Sequence, residues 1–217
     1  MREPSRRRFI AFIICIISAS LFGYMASSIS SGSIEHFDAS IISFVQGMEA
    51  PWLTTVLKFF TWIGSGYIVV PVTLVAFLLL YFVYQHRGQA FLFVIVIIST
   101  ISSNELLKMY FKRERPEIYR IIDAGGLSFP SGHTMMAVSL YTIIAYVLWR
   151  NLKSTGSRML LSLLTIFMIM MIAVSRIYLG VHYPSDIVGG VATSIFLITI
   201  MVTVFEFIQN KRDQKKS

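Results

Sequence analysis

Residues Ser175 to Asp186 read SRIYLGVHYPSD and lie between two long apolar runs. Within this stretch, at the edge of what reads as a membrane-spanning helix, fall Arg176, His182 and Asp186. Ionisable groups in such a place are costly and mark functional sites. Pro184 suits the first turn of a helix, which puts Asp186 in that turn and His182 just before it. The carboxylate is then placed to accept a hydrogen bond from one ring nitrogen of His182. The other nitrogen stays unprotonated and points outward, as an attacking imidazole requires. Gly180 permits a tight backbone ahead of the histidine. The plainer alternative is a structural His–Asp contact, with Arg176 as a collar residue at headgroup level.

The flanking runs are part of a general pattern. The chain has 217 residues, only 14% of them charged, and a mean hydropathy of +0.70. That much apolar surface cannot be hidden in a soluble domain of this size, so the expected class is an integral membrane protein. Apolar runs of about twenty residues indicate helices rather than a lipid-facing barrel. The expected fold is all-α: a single membrane unit, 1–217, of six transmembrane helices with short interfacial helices on the outer side. The spans fall at about 9–26, 67–85, 89–110, 133–149, 159–174 and 187–208. No internal repeat is present. Cys15, the sole cysteine, lies inside an apolar run and reads as packing filler.

Between the first two spans, Ser27–Ser33 reads as a polar turn. Phe37, Ile41, Phe44, Val45 and Met48 then follow helical spacing, with Glu35, Asp38 and Gln46 elsewhere on the wheel. Two readings fit: an amphipathic helix lying on the membrane surface, or one packed on top of the bundle. Pro51-Trp52 begins a short second helix, with Trp52 and Trp62 suited to the interface. The first run reads as an uncleaved anchor rather than a cleaved signal, despite Ser18-Ala19-Ser20, because it continues past that point.

The net charge of +8 does not point to nucleic acid, because the basic residues lie at helix ends and in short loops. Arg6, Arg7, Arg8, Arg87, Arg150, Lys153, Arg158 and the tail lysines share one side, which places both termini in the cytoplasm. The opposite face is also basic. It holds Lys108, Lys112, Arg113, Arg115, Arg120 and Arg176, together with His133, His182 and Asp186. Cations on the unexpected side need another reason to be there, and anion binding is the simplest.

Two earlier stretches join the first. Lys108 to Pro116 reads KMYFKRERP. Residues seven apart lie on nearly one helical face, so a third span continuing outward would carry Lys108 and Arg115 along one line until Pro116 ends it. The alternative is a basic collar whose lysines and arginines snorkel to headgroups, and Lys112 and Arg113 read as collar residues of this kind. Leu127 to Thr134 reads LSFPSGHT. Ser131 is a candidate N-cap for the fourth span, and Gly132 lets the backbone come close to a ligand. The first amides of that helix favour an anion beside His133. An ordinary helix start is the alternative. A metal site built from His133, His182 and Asp186 competes with both, but Lys108, Arg115 and Arg176 would repel a divalent cation and match a phosphate instead.

In this order, KMYFKRERP, FPSGH and SRIYLGVHYPSD resemble the three signature motifs of the type 2 phosphatidic acid phosphatases. The resemblance implies a six-helix membrane phosphatase that needs no metal; no other cofactor and no obligatory protein partner is inferred. It implies His182 as nucleophile, Asp186 as its orienting partner and His133 as general acid. Lys108, Arg115, Ser131, Gly132 and Arg176 would be the phosphate binders. The family is also similar to vanadium haloperoxidases, which implies vanadate binding. The substrate is expected to be a lipid phosphate at the outer face of the cell membrane. Bacterial members of this size suggest phosphatidylglycerophosphate, with undecaprenyl diphosphate close behind. A transporter would also use a basic vestibule, but the charges lie at one face rather than at midplane, and no repeat supports it. A purely structural protein would not need the His–Asp pair.

Overall fold

The computed structural model describes residues 3–117 and 119–214. Lys215 and Lys216, two of the tail lysines counted above, lie outside them. Eight α-helices account for the regular structure of the described residues: α1 (Glu3–Ser31), α2 (Glu35–Gln46), α3 (Pro51–Ile63), α4 (Gly66–Leu78), α5 (Arg87–Phe111), α6 (Gly132–Trp149), α7 (Thr155–Tyr178) and α8 (Pro184–Gln214). Helix α4 runs on into a π-helical turn, Leu79–Val83. Six segments are long and apolar enough to cross a membrane: α1, α4 with its π turn, α5, α6, α7 and α8. Helices satisfy their own backbone hydrogen bonds, which a bilayer core demands. The fold is therefore the expected all-α membrane bundle, with α2 and α3 as the short helices.

Several helices outrun the expected spans. Ser27–Ser33 is not a turn, because α1 continues to Ser31. Its serine hydroxyls bond back to helix carbonyls, Ser30 to Ala26 at 3.0 Å and Ser31 to Ser28 at 3.2 Å, so polar side chains do not break it. The chain turns at Gly32, with φ of +74°. Helix α7 likewise extends to Tyr178 and carries Arg176 in its last turn.

Helix α6 is central, packing on α5, α7 and α8. Its Val138, Leu140 and Ile143 share a core cluster with Val96 and Ile97 of α5 and Ile198 of α8. Helix α1 packs along α8, and α3 packs against α7. A second apolar cluster, with Val45, Leu57, Ala173, Tyr178 and Ile187, seats α2 and α3 on the end of the bundle that carries the charged stretches.

Candidate active site

Three chain segments meet at that end. The SRIYLGVHYPSD stretch closes α7, turns and opens α8. Gly180 makes the turn, with φ of +72°, a region costly for residues with a Cβ. A Cβ there would also stand 2.2 Å from the carbonyl oxygen of Tyr119. The 112–131 loop thus lies against this turn, tied by Ile121 N–H to Leu179 O at 3.1 Å. Its other end leads through a cis Phe129-Pro130 bond to Ser131, the N-cap of α6. Ser131 N–H donates to the main-chain oxygen of Asp186 at 3.1 Å, which fixes the start of α6 on the start of α8.

His182 is 1% exposed and Asp186 fully buried. His182 Nδ1 and Asp186 Oδ2 are 3.1 Å apart. The same Oδ2 accepts from Tyr183 N–H at 2.9 Å and from the Ser128 hydroxyl. On the far side of the ring, Arg115 Nη1 lies 3.0 Å from Nε2. A guanidinium only donates, so Nε2 is the acceptor, and the ring proton sits on Nδ1, facing Asp186. Burial pushes the His182 imidazole down to about 4, against the opposing pull of Asp186. It is therefore neutral at ordinary pH. Burial also lowers the Arg115 guanidinium from its ordinary value, with Asp186 opposing.

Lys108 and Arg115 do not share a helix. Helix α5 ends at Phe111, and Lys112 takes a left-handed conformation with φ of 49°. Arg115 reaches the site from the loop instead. Its Nε donates to Gly125 O and Gly126 O at 3.1 and 3.0 Å, and its Nη1 to Val181 O at 2.7 Å. Lys108 remains in the last turn of α5, 3.8 Å from Glu105. Arg115, Arg176 and Asp186 each lie within electrostatic reach of Lys108. His133, in the first turn of α6, feels Arg176, His182, Arg115 and Lys108. Arg176 is buried and donates to the Thr61 hydroxyl, while its Nε has no partner among the described residues. The residues singled out from three separate stretches thus converge on one region.

Gly132 is also tight against the protein itself. A Cβ there would meet Asn104 Oδ1 at 2.9 Å. The missing side chain makes room for Asn104, whose Nδ2 donates to Pro130 O at 3.0 Å.

Arg113 is not a collar residue. It bonds Asp186 Oδ1 at 2.7 Å and Asp38 Oδ2 at 2.8 Å. Asp38, read as one of the polar positions of α2, is 2% exposed and points inward. Ser128 was also missed. It immediately precedes the FPSGH stretch, and proximity to that motif was its only sequence signal.

Fold and site together define a multi-pass membrane protein built around a buried imidazole–carboxylate pair and a cluster of cations. The chain belongs to the PAP2 superfamily, whose family model matches residues 88–209. By that membership it is a lipid-related membrane phosphatase. It is 26% identical over 194 residues to phosphatidylglycerophosphatase B of Bacillus subtilis (strain 168), covering 89% of this chain and 95% of that protein. It is 27% identical over 164 residues to the putative undecaprenyl-diphosphatase YbjG of Escherichia coli (strain K12), covering 72% of this chain and 77% of the relative. Among solved structures, the PAP2-type phosphatidylglycerolphosphate phosphatase from Bacillus subtilis superposes with a TM-score of 0.83 at 25% identity, covering 89% of this chain and 96% of that one. Aquifex aeolicus LpxE shares the fold, with a TM-score of 0.62 at 24% identity over 76% of this chain and 94% of its own.

Proposed function

We propose that this protein hydrolyses the terminal phosphate of phosphatidylglycerophosphate through a phosphohistidine, at the extracytoplasmic face of the cell membrane. The observation that carries this reading is the His182 ring, held between Asp186 on Nδ1 and the Arg115 guanidinium on Nε2. An attacking nitrogen already beside a phosphate-binding group suits in-line displacement at phosphorus. The unpartnered, buried Nε of Arg176 adds to it, since a buried donor without a partner calls for a ligand.

In the first step the Nε2 lone pair of His182 attacks phosphorus and the bond to the leaving oxygen breaks. His133 gives that oxygen a proton. Water then attacks phosphorus and passes a proton to His133, the N–P bond breaks, and phosphate leaves. Asp186 stabilises the cationic imidazole that forms in between. Lys108, Arg115, Arg176 and the amides near Ser131 and Gly132 stabilise charge on the equatorial oxygens, usually the largest contribution to such catalysis. Chemistry of this kind uses cations of the protein where other phosphatases use a metal.

Phosphatidylglycerophosphate is favoured because a relative matched over 95% of its own length is named for its hydrolysis. Undecaprenyl diphosphate is the second reading, since the Escherichia coli relative is named as a putative undecaprenyl-diphosphatase. A lipid fits the surroundings. An apolar groove of about 350 Å³, lined by Phe22, Leu106, Leu107, Phe196 and others, runs between α1, α5 and α8. Phe22 at its border stacks on Phe129, with centroids 5.7 Å apart, next in sequence to Ser128. The side facing outward follows from the basic residues at the other end of the bundle.

The test is phosphate release by the purified protein in detergent with chelator present. Phosphatidylglycerophosphate, undecaprenyl diphosphate and phosphatidic acid are compared side by side, with His182→Ala as control. Release from the first at the highest kcat/KM, lost in the control, is expected. No release, release only with added metal, or near-normal turnover by the control overturns the reading.

A further inference from the structure

Helix α2 turns large apolar side chains outward, Phe44 being 71% exposed and Phe37 39%, while its Asp38 is buried. A buried carboxylate is costly unless paired and hydrogen-bonded. Asp38 is both. Its Oδ1 accepts from Ser185 N–H at 2.8 Å, and its Oδ2 accepts from the Ser185 hydroxyl at 2.6 Å and Arg113 Nη2 at 2.8 Å. Ser185 N–H is among the first amides of α8, which have no acceptor within their own helix. Asp38 therefore caps α8 from another helix.

Arg113 extends the link. Its Nη1 donates to Asp186 Oδ1 at 2.7 Å and to the Ser185 hydroxyl at 2.8 Å, and its guanidinium lies 4.0 Å from the centre of the Tyr183 ring. Asp38, Arg113 and Asp186 form a continuous row of alternating charge that ends at the neutral imidazole of His182. Asp186 Oδ2 is committed to His182, Ser128 and Tyr183. Arg113 on Oδ1 thus sets the rotation of the carboxylate, and Asp38 holds the other arm of Arg113. Asp38, Arg113 and His182 also border one cavity of about 530 Å³ under α2.

We propose that Asp38 is a positioning residue for His182, acting through Arg113 and Asp186, so that the seating of α2 on the bundle is felt at the nucleophile. This rests on the phosphohistidine reading above. Asp38 lies outside the residues matched by the family model. It does not reach substrate; it aims the group that does.

The experiment uses the purified full chain in detergent, with Asp38→Asn, Arg113→Gln and the double variant. Asp38→Asn lowers kcat on a lipid monophosphate by roughly 10²-fold, the scale of a small misplacement, with KM unchanged. If Asp38 acts through Arg113, the double variant is no worse than Arg113→Gln alone. The ¹⁵N resonance of His182 Nδ1, identified by its loss in His182→Ala, shifts in Asp38→Asn. Wild-type kcat in Asp38→Asn, additive losses in the double variant, or an unmoved resonance overturns the proposal. If Asp38→Asn does not fold, Arg113→Lys carries the test. It keeps the charge but cannot span both carboxylates, so the same kcat loss and shifted resonance are expected, and wild-type values overturn the idea. If the wild-type protein releases no phosphate, the functional reading fails, and the resonance alone decides the role of Asp38.

Discussion

Arg115 Nη1 lies 3.0 Å from Nε2 of His182, on the side of the ring opposite Asp186. The donor that would hold a phosphate oxygen is thus also the partner of the nitrogen that would attack phosphorus. Substrate binding has to exchange one contact for the other, which frees the lone pair only when the anion is in place. Arg115→Lys keeps the charge but loses the fork, including the bonds to Gly125 and Gly126. The expected loss in kcat is roughly 10²–10³-fold, the range for removing one preorganised donor. Inorganic phosphate should inhibit the variant more weakly than the wild type. Steady-state kinetics with phosphate as inhibitor checks both.

The depressed pKa of His182 has a pH signature of its own. Burial holds the folded value near about 4, against an ordinary 6.5, with Asp186 opposing and Arg176 and Arg115 adding to the depression. As pH falls from 6.5 towards 4, the unfolded chain takes up a proton at this position while the folded chain does not. Stability therefore rises with pH in that window and is lost on acidification, by at most about 3 kcal/mol at the acid end. Thermal unfolding of the purified protein across the window should show the loss, and His182→Ala should show a smaller one. An equal loss in both proteins would place the titrating group elsewhere.

Much of this was legible in the chain because two different signals carry it. Apolar length marks the six spans, and the short motifs mark where three of them end. Helix ends were less legible. Ser30 and Ser31 look like a turn but bond back into α1, and Lys112 ends α5 in a left-handed conformation that lysine does not advertise. Asp38 was harder still. Its partners Arg113 and Ser185 lie 75 and 147 positions away, so nothing local distinguishes it from Glu35 on the same helix. Arg113 was misread for the same reason: a cation between Lys112 and Arg115 looks like part of a collar until its carboxylates are in place.

Gly132 offers a test of packing. A Cβ at this position would stand 2.9 Å from Asn104 Oδ1, the buried end of a side chain held by Pro130 O. Gly132→Ala must push the amide aside at the start of α6, where crowding of this kind costs about 1–3 kcal/mol. The melting temperature should fall. In an Asn104→Ala background the same change should cost less, because the obstructing oxygen is gone. Equal costs in both backgrounds would mean that Gly132 is needed for something other than room for Asn104.

His133 stands in the first turn of α6, among Arg176, His182, Arg115 and Lys108. In the role of general acid proposed for it, His133 would matter most when the leaving oxygen is a poor leaving group. The alkoxide expelled from a glycerol phosphate needs a proton, and the phosphate expelled from a diphosphate needs one far less. His133→Ala should therefore lower kcat on phosphatidylglycerophosphate by about 10²–10⁴-fold, the usual contribution of a positioned proton donor. The loss on undecaprenyl diphosphate should be clearly smaller. Both can be measured on one preparation, so differences in folding cancel. Equal losses on the two lipids would remove His133 from the departure step and leave it only the activation of water, which both substrates share.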